Sequence, residues 1–422
     1  MTSLINKART LWQDPDMRRR ILFLLGALLL FRVMAAVPVP GIDPLRLQQF
    51  LQTNQFFGLL NIFSGGGLNS LSIVMLGVGP YITASIILQL LTVMFPPLKS
   101  MYHEEGEAGK RKFTQYARLL TVPLAIIQAF GFLTLLEQQG AIGDLALFDT
   151  FINVIIITAG SLLLTWIGEL ISEFGVGNGV SILIFAGIIA SLPTVLSQLY
   201  FGYDPSQLPT YLAFLIVAVL IVWGIVVVNE AERPVPITHS RQVRGGSTVN
   251  TGSTLPLRIN QAGVMPIIFA LSILLFPQMI FNFLATDPLS IWATLSTQMN
   301  AFFNNPILYA LVYFILVFLF TFFYTAITFD VESTATNLQQ QGAYITGVRP
   351  GEQTEEYLGK ILSRTTFIGA LFLGLIAILP IIMQSITGNT ALAIGGTALL
   401  IVVAVVVDLI KKLDAAVAMR QY

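Results

Sequence analysis

Apolar stretches separated by short polar segments run along the whole chain. Phe151–Ile171 and Ile307–Ile327 reach the roughly 20 apolar residues that a helix needs to cross a hydrocarbon core of about 30 Å. The alternating apolar and polar positions of membrane β-barrel strands do not appear in this pattern. The pattern predicts an all-α polytopic membrane protein with ten transmembrane helices, at about residues 20–38, 70–95, 115–137, 150–172, 180–200, 209–230, 259–285, 306–329, 360–386 and 391–413.

Composition supports this fold class and argues against catalysis. Hydrophobic residues make up 55% of the 422 residues and charged residues only 10%, which is too little charge for an ordinary soluble domain. The chain has no cysteine, which excludes disulfides, thiol catalysis and cysteine-ligated metals. His103 and His239 lie far apart in polar loops, and no nucleophile motif or glycine-rich phosphate loop is present. We therefore expect neither an enzyme nor a cofactor.

A short motif occurs once in each half of the predicted helix order. Gly77–Pro80 reads Gly-Val-Gly-Pro in the second helix, and Gly263–Pro266 reads Gly-Val-Met-Pro in the seventh. Because each half contains an odd number of helices, the halves enter the membrane in opposite directions, as in an inverted repeat. The predicted halves are residues 1–202, with helices one to five, and 203–422, with helices six to ten. The alternative is that Gly and Pro are simply common in membrane helices.

The positions of Lys and Arg predict the orientation of the helices. In a ten-helix arrangement the basic clusters fall on one side, which the positive-inside rule assigns to the cytoplasm. Both termini lie on that side, with two long loops at residues 230–258 and 330–359 that are expected to project from opposite ends of the second half. The clustered basic residues are Lys7, Arg9, Arg18, Arg19, Arg20, Lys99, Lys110, Arg111, Lys112, Arg118, Arg233, Arg241, Arg244, Arg258, Arg349, Lys360, Arg364, Lys411, Lys412 and Arg420.

The helix centres indicate what kind of pathway runs between the halves. An ion-coupled secondary transporter needs ion-binding groups near the midplane, whereas the acidic residues Glu169 and Asp408 lie towards helix ends. Aliphatic residues recur every four positions on one face of two helices. They are Val78, Ile82 and Ile86 in the second helix and Val180, Ile184 and Ile188 in the fifth. Such faces either seal a pore by dewetting or simply face lipid. From the sequence pattern alone, both alternatives remain, and so does the ion-coupled transporter.

The segment between the first two helices is too polar to span a membrane, yet it carries many large apolar side chains. Asp43 and Pro44 form a helix start, an amphipathic run follows, and Gly65–Gly67 ends it. A re-entrant half-helix buried in protein, at about residues 41–68, accounts for both features. An interfacial helix that lies on the outer surface is the alternative.

Eight motifs, spread over nearly the whole chain, resemble those of one family in sequence and in order. They are PVPGID at Pro38–Asp43, NIFSGGGLNSLSI at Asn61–Ile73, GVGPYITASIILQLL at Gly77–Leu91, GEAGKRKFTQYAR at Gly106–Arg118, GNGVSILIFAGI at Gly177–Ile188, LPLRINQAGVMP at Leu255–Pro266, GVRPGEQT at Gly347–Thr354 and GGTALLIVV at Gly395–Val403. The family is SecY, the channel subunit of the bacterial Sec protein translocon.

The resemblance implies a protein-conducting channel in two pseudo-symmetric five-helix halves. Unfolded polypeptides would cross the membrane through its pore, and transmembrane segments would leave sideways into lipid through a lateral gate between helices two and three and helices seven and eight. Carried over by motif, the pore ring would be Val78, Ile82, Val180, Ile184, Ile268 and Ile401. The lateral gate would contain Thr83, Ile86, Gln89, Asn260 and Phe276, and the plug at 41–68 would hinge at Gly65, Gly66 and Gly67. Val78 and Val180 stand where the family often has isoleucine.

The resemblance also implies partners and a location. The partners would be the small membrane subunits SecE and SecG, the SecA ATPase, the ribosome with its RNA, signal peptides, nascent or precursor polypeptides, and membrane lipids. The motor and the ribosome would dock on Arg241 and Arg244 in the first long loop and on Arg349, Pro350, Gly351 and Glu352 in the second. The location would be the bacterial plasma (inner) membrane, with both termini cytoplasmic. An insertase-type membrane chaperone is a further alternative, which would need a hydrophilic groove rather than an aliphatic ring.

Overall fold

A computed structural model of the chain describes residues 14–40, 71–103, 105–138, 140, 142–143, 146–201, 208–239, 252–284, 294–295, 298, 305–387, 401–403 and 405–413. Its helices are α1 (Pro15–Ala36), α2 (Gly79–Met94), α3 (Pro96–His103), α4 (Gly106–Gln138), α5 (Leu147–Phe174), α6 (Gly179–Phe201), α7 (Leu208–Glu230), α8 (Met265–Leu284), α9 (Pro306–Thr328), α10 (Val331–Gln340) and α11 (Glu352–Thr387). A last helix, α12, contains the described residues 401–403 and 405–413. The strands are β1 (Glu232–His239), β2 (Gly252–Arg258) and β3 (Ala343–Ile345).

Each predicted helix overlaps a helix of the structure, the tenth one over the described residues 401–403 and 405–413. Most ends agree within a few residues, but α2 and α8 begin at Gly79 and Met265, later than the predicted 70 and 259. In contrast, α1, α4 and α11 begin earlier than predicted because these helices continue beyond their apolar portion into polar sequence. At the start of α1, for example, the Asp14 carboxylate accepts the N–H of Asp16 at 3.0 Å, and Pro15 occupies the first turn. Hydropathy reports only the part of a helix that could cross lipid, so it misses such extensions.

Several helical stretches within the described residues are long and apolar enough to cross a membrane. Four pass on their own: Gly106–Thr134, Leu147–Phe174, Pro306–Gln340 and Glu352–Met383. A fifth candidate is the pair Gly79–Met94 and Pro96–Tyr102, whose axes are bent by 116°. The sequence pattern did not predict this bend, which occurs where two consecutive prolines, Pro96 and Pro97, interrupt the helical hydrogen bonds.

The second predicted helix begins at Gly79, nine residues later than expected, and this part of the prediction was wrong. Residues 71–78 instead form consecutive turns, in which the N–H groups of Met75, Gly77 and Gly79 each donate to the carbonyl three residues earlier, at 2.9, 2.8 and 3.2 Å. Gly77 has a φ of +58°, which is outside the right-handed helix, and Pro80 lacks an N–H. The turns are as apolar and buried as a helix, so hydropathy could not separate the two.

The second copy of the Gly-Val-x-Pro motif has the same local geometry. Gly263 has a φ of +62°, and α8 begins at Met265, directly before Pro266, just as α2 begins directly before Pro80. The repeat found in the sequence is therefore a helix-start signal that the fold uses twice.

The packing of the helices also repeats between the halves. In the first half, α1 packs on α5, α2 packs on α4, and α4 packs on α5. In the second half, α7 packs on α11, α8 packs on α9, and α9 packs on α11. In the predicted numbering, the contacts of the first half join helices one and four, two and three, and three and four. The contacts of the second half join the corresponding helices six and nine, seven and eight, and eight and nine. The same contact pattern thus occurs in both halves, as an internal repeat requires.

Two glycines mark equivalent crossings in the halves. A Cβ placed on Gly160 of α5 would lie 2.0 Å from the carbonyl oxygen of Ile73, four residues before Gly77. A Cβ placed on Gly369 of α11 would lie 2.8 Å from the carbonyl oxygen of Ile259, four residues before Gly263. In each half, a glycine thus lets a later helix cross directly over the backbone that leads into the motif.

A small antiparallel sheet on the side of the basic clusters was not predicted. Its strand order is β2-β1-β3, so β1 pairs with a strand from each of the two long loops. Beneath it lies a separate apolar cluster of Val235, Leu257, Ile345, Leu358 and Ile361. The expectation that the two loops project from opposite ends of the second half was wrong. β1 forms hydrogen bonds with β2 of the first loop along one edge and with β3 of the second loop along the other, so the two loops lie together.

Candidate functional site

The residues of the predicted pore ring meet in one apolar cluster. Five of them are buried members of it, and Val180 packs against it while half-buried. The buried members are Val78, Ile82, Ile184, Ile268 and Ile401. These residues belong to the starts of α2, α6 and α8 and to α12, so the cluster joins both halves of the chain. Whether this cluster is the constriction of a pore stays a prediction.

A cavity of about 820 Å³ adjoins this cluster, on the side of the basic clusters. Four ring residues, Ile82, Val180, Ile184 and Ile268, form part of its wall. Most of the remaining wall is polar, charged or aromatic. It includes Tyr81, Ser85, Gln89, Tyr102, Glu107, Lys110, Arg111, Thr114, Gln115, Arg118, Glu169, Ser172, Glu173, Asn178, Ser181, Phe269 and Tyr324. We call this cavity the vestibule. Its wall is mostly polar and includes part of the apolar cluster.

Charges of both signs line the vestibule. Arg118 of α4 forms an ion pair with Glu169 of α5, and Lys110 lies 3.7 Å from Glu107. The second carboxylate oxygen of Glu169 is buried without a hydrogen-bond partner. Among the described residues, no group of three His, Asp or Glu side chains could hold a metal ion. The described part of the wall therefore carries charges of both signs rather than a cluster of one sign.

The helices predicted to form the lateral gate are in contact. α8 packs against α2 and α4 as well as α9. Thr83 is buried, and its hydroxyl donates to the carbonyl of Gly79 in its own helix at 3.1 Å, so this hydroxyl donates no hydrogen bond across the contact. Ile86 is buried in the apolar cluster, and half-buried Gln89 lines the vestibule with its Oε1 unpaired. Phe276 belongs to α8, but its side chain lies outside the described part.

Asn260 lies at a different place from the one the gate prediction suggests. Its Nδ2 donates to Oδ1 of Asn229, at the end of α7, at 2.7 Å and to the carbonyl of Gly263 at 3.2 Å. Both partners belong to the second half, so these contacts do not join it to α2. A gate role for Asn260 stays a prediction that its hydrogen bonds do not support.

The plug segment and its proposed hinge, Gly65–Gly67, lie outside the described residues. The chain on either side of the segment is described. The N–H of Val39 donates to the carbonyl of Leu71 at 2.8 Å, and the N–H of Ile73 donates to the carbonyl of Val37 at 3.0 Å. The two ends of the 41–70 segment are therefore held together by a short antiparallel bridge.

Arg349 stands exposed in the turn between β3 and α11. Gly347 and Gly351 on either side have φ angles of +86° and +98°, and the buried Thr354 donates its hydroxyl to the carbonyl of Arg349 at 2.9 Å. Pro350 and Glu352 are also exposed, and Gly351 is half-buried. The backbone of the turn is thus well defined while the guanidinium is free to meet a partner. Arg241 and Arg244 lie outside the described residues.

A group of carboxamides beside α8 was missed by the sequence reading. Asn229 and Gln261 accompany Asn260 in the wall of a second cavity. The residues are scattered along the chain, and each one reads as an ordinary helix-end or loop residue. Only their spatial proximity reveals them as a group.

Comparison with known proteins agrees with this architecture. The sequence model of the SecY family matches residues 72–410. The chain is 41% identical over 420 residues to the protein translocase subunit SecY of Synechocystis sp., covering 97% of this chain and 94% of the relative. A solved structure described as that of a protein conducting channel superposes with a TM-score of 0.66 at 19% identity, covering 95% of this chain and 92% of that chain.

A second solved structure is Sec61 in the canine ribosome-channel complex from the endoplasmic reticulum. It superposes with a TM-score of 0.61 at 18% identity, covering 95% of this chain and 92% of that chain. These two structures support the fold, while the family match and the sequence identity to the relative support the assignment. The chain belongs to the SecY family of protein translocase subunits.

Proposed function

We propose that this chain is the protein-conducting channel of a Sec translocase, through which unfolded polypeptides pass between its two halves. The observation that carries this proposal is the meeting of Ile82, Ile184 and Ile268, from three helices and both halves, at the inner wall of a polar vestibule. Apolar side chains in a narrow passage exclude water and ions without binding them. The pore ring is then Val78, Ile82, Val180, Ile184, Ile268 and Ile401. The chain acts as a channel subunit and not as an enzyme.

The lateral gate is proposed at the contact of α8 with α2 and α4. Both helices contribute apolar side chains to the shared cluster, such as Ile86 of α2 and Leu274 of α8, and a transmembrane segment can replace apolar contacts with its own. The unpaired Oε1 of Gln89 lies beside the vestibule, so water that enters the contact between α8 and α2 finds a hydrogen-bond acceptor there. Thr83 and Phe276 complete the proposed gate.

A plug at about residues 41–68 is proposed to close the pore at rest, with its hinge near Gly65–Gly67. The antiparallel bridge between Pro38 and Ser72 supports a segment that leaves the bundle and returns to it at one point. It returns the chain directly into the turns that carry Val78, the first residue of the ring. A plug tethered in this way can leave the ring without changing the position of α2.

The partners proposed for the side of the basic clusters are the SecA ATPase and the ribosome. Arg349 is exposed on a well-defined turn, and its planar guanidinium can bind carboxylate or phosphate in a bidentate manner. Arg241, Arg244, Pro350, Gly351 and Glu352 complete the proposed docking surface. SecE and SecG are the proposed membrane partners, and a ribosome complex is known for the similar Sec61 channel. The proposed location is the bacterial plasma membrane, with both termini in the cytoplasm.

Reconstitution tests the proposed function directly. Proteoliposomes that contain this chain, its small membrane subunits and the motor ATPase should import a signal-bearing precursor in an ATP-dependent manner. An ion-coupled transporter, the alternative from the sequence, would instead take up a small solute in response to an ion gradient. Precursor import that requires neither the motor nor a ribosome, or solute uptake without import, would overturn the proposal.

A further inference from the structure

A second cavity lies beside the vestibule, on the far side of the start of α8. Its volume is about 250 Å³, and it shares Asn178, Ser181, Met265, Ile268 and Tyr324 with the first cavity. Its wall contains four carboxamide side chains, from Asn178, Asn229, Asn260 and Gln261. We call this cavity the amide recess. It adjoins the proposed ring at Ile268, so a chain that reaches the ring from the vestibule passes its opening.

The basic side chains in the wall of the amide recess already have hydrogen-bonding partners. Arg258 Nε lies 3.3 Å from Glu232, and Lys412 Nζ lies 2.7 Å from Asp408. Lys411 donates to the backbone carbonyl of Asn229 at 2.8 Å. Each of these basic side chains is thus engaged by a carboxylate or a backbone carbonyl, and a phosphate group would have to compete with those partners.

The amide group of Asn260 has only one possible orientation. Its Nδ2 faces the carbonyl of Gly263, which can only accept a hydrogen bond, so the amide cannot be flipped. Its Oδ1 is consequently left as an acceptor, and this atom is buried without a partner, in a side chain that is only 6% exposed. A buried acceptor of this kind is costly, and a ligand N–H satisfies it.

We infer that the amide recess binds the main chain of the polypeptide in transit, an inference that rests on the proposed function. A carboxamide presents one acceptor and one donor group, as a peptide group does, so it can pair with backbone irrespective of side chains. A channel for unrelated sequences needs this kind of contact. The volume is below the roughly 300–1,000 Å³ of pockets for drug-sized ligands, so the recess accepts only a short stretch of chain.

The two walls of the passage then have different tasks. The vestibule wall from α4 and α5 carries charges of both signs, including Arg118 and Glu169, and meets variable side chains. The amide recess, on the side of α7 and α12, holds backbone peptide groups. This arrangement keeps an unfolded chain extended above the ring without selecting its sequence.

Crosslinking tests whether the main chain enters the recess. The chain has no native cysteine, so Gln261→Cys provides a single thiol in the recess, and Ser85→Cys provides a matched thiol in the vestibule. A precursor stalled by a folded C-terminal domain carries single cysteines at successive positions. We expect the Gln261→Cys channel to form disulfides with consecutive positions of the precursor, whatever the neighbouring side chains. The inference would be overturned if only Ser85→Cys formed disulfides with the precursor. A disulfide between Gln261→Cys and a cysteine placed in the motor, instead of the precursor, would also overturn it.

Backbone N-methylation tests whether a peptide N–H is the group that is bound. A semisynthetic precursor with N-methyl groups across the crosslinked stretch lacks the donor that Asn260 Oδ1 accepts. We expect its stalled intermediate to slide back about tenfold faster in the original channel, the effect of one lost hydrogen bond to a buried acceptor. In Asn260→Ala the two precursors should slide back at equal rates, whereas Asn337→Ala, which removes an exposed carboxamide on α10, should keep the difference.

The outcomes separate this inference from the proposed function. If the reconstituted channel imports precursor normally but N-methylation and Asn260→Ala have no effect, the recess does not bind backbone while the channel function stands. If no precursor is imported at all, the proposed function itself fails. If Asn260→Ala does not fold, the crosslinks from Gln261→Cys together with the backsliding of the N-methylated precursor in the original channel still decide the matter.

Discussion

Pro38 and Ser72 face each other as partners in an isolated antiparallel bridge, at the base of the 41–70 segment. The two backbone hydrogen bonds flank this pair rather than joining it, and Pro38 has no N–H to donate. Side chains are closest in such non-hydrogen-bonded pairs, with Cα atoms about 4.5 Å apart. The bridge is therefore a natural position for an engineered cross-strand disulfide.

The double variant Pro38→Cys and Ser72→Cys should form a disulfide on mild oxidation. We expect the locked protein to import precursor at the rate of the unoxidised form, because the proposed plug moves beyond the bridge while its ends stay joined. The measurement is import into proteoliposomes with and without dithiothreitol. A block that dithiothreitol relieves would mean that the bridge itself opens during transport.

Close packing at Gly160 should make α5 intolerant of even one methyl group. Gly160→Ala places a Cβ against the backbone of Ile73, which cannot move as a flexible side chain does, so we expect a loss of about 1–3 kcal/mol in stability or more. Gly359→Ala in α11 is the control, since no atom lies within 4 Å of its added Cβ and alanine favours helix. Thermal unfolding in detergent measures both, and an unchanged midpoint for Gly160→Ala would contradict the crossing.

Replacing a ring isoleucine by a polar residue should wet the constriction. Ile82→Asn and Ile268→Asn occupy equivalent positions of the repeat, so both should raise the resting ion conductance in planar bilayers. Ile268→Leu keeps an apolar side chain of similar volume and should leave the pore sealed. Conductance that stays at the original level in both asparagine variants would mean that another element forms the seal.

A disulfide across the proposed gate should block transport reversibly. Thr83→Cys is combined in turn with a cysteine at Ala270, Leu274 or Phe276 of α8, because a disulfide needs Cα atoms within about 7 Å. At least one pair should crosslink at rest, and oxidation of that pair should stop import until dithiothreitol is added. Thr83→Cys alone is the control. If no pair crosslinks, or a crosslinked channel still imports precursor and inserts transmembrane segments, the seam is elsewhere.

Reversing the charge of Arg349 should weaken the coupling of the channel to its motor. Loss of one charge-assisted, bidentate contact corresponds to about tenfold weaker stimulation of the motor ATPase. Arg349→Lys should recover only part of the stimulation, because an ammonium cannot imitate the planar fork. Arg233→Glu removes an exposed arginine from β1 on the same side and should have a small effect. Equal losses in Arg233→Glu and Arg349→Glu would point to net charge rather than docking.

The repeat shows how far sequence reasoning could go in this chain. The Gly-Val-x-Pro motif was visible as letters at Gly77 and Gly263, and the geometry confirmed it as a shared helix start. The crossings at Gly160 and Gly369 were not visible, because the two glycines have no common sequence context. They are recognisable only by the carbonyl oxygens they contact.

Hydropathy along the chain determined by itself that this is a polytopic α-helical protein, because a helix must be continuously apolar to cross lipid. It determined the order and approximate ends of the helices, and the motifs determined the family. Only the tertiary structure decided that residues 71–78 are turns, that the two long loops share one sheet, and that Asn260 faces Asn229 rather than Thr83. These features depend on hydrogen bonds between groups that are distant in the chain, such as the edge of a strand or a buried amide and its partner. The local sequence does not specify which partner each group finds.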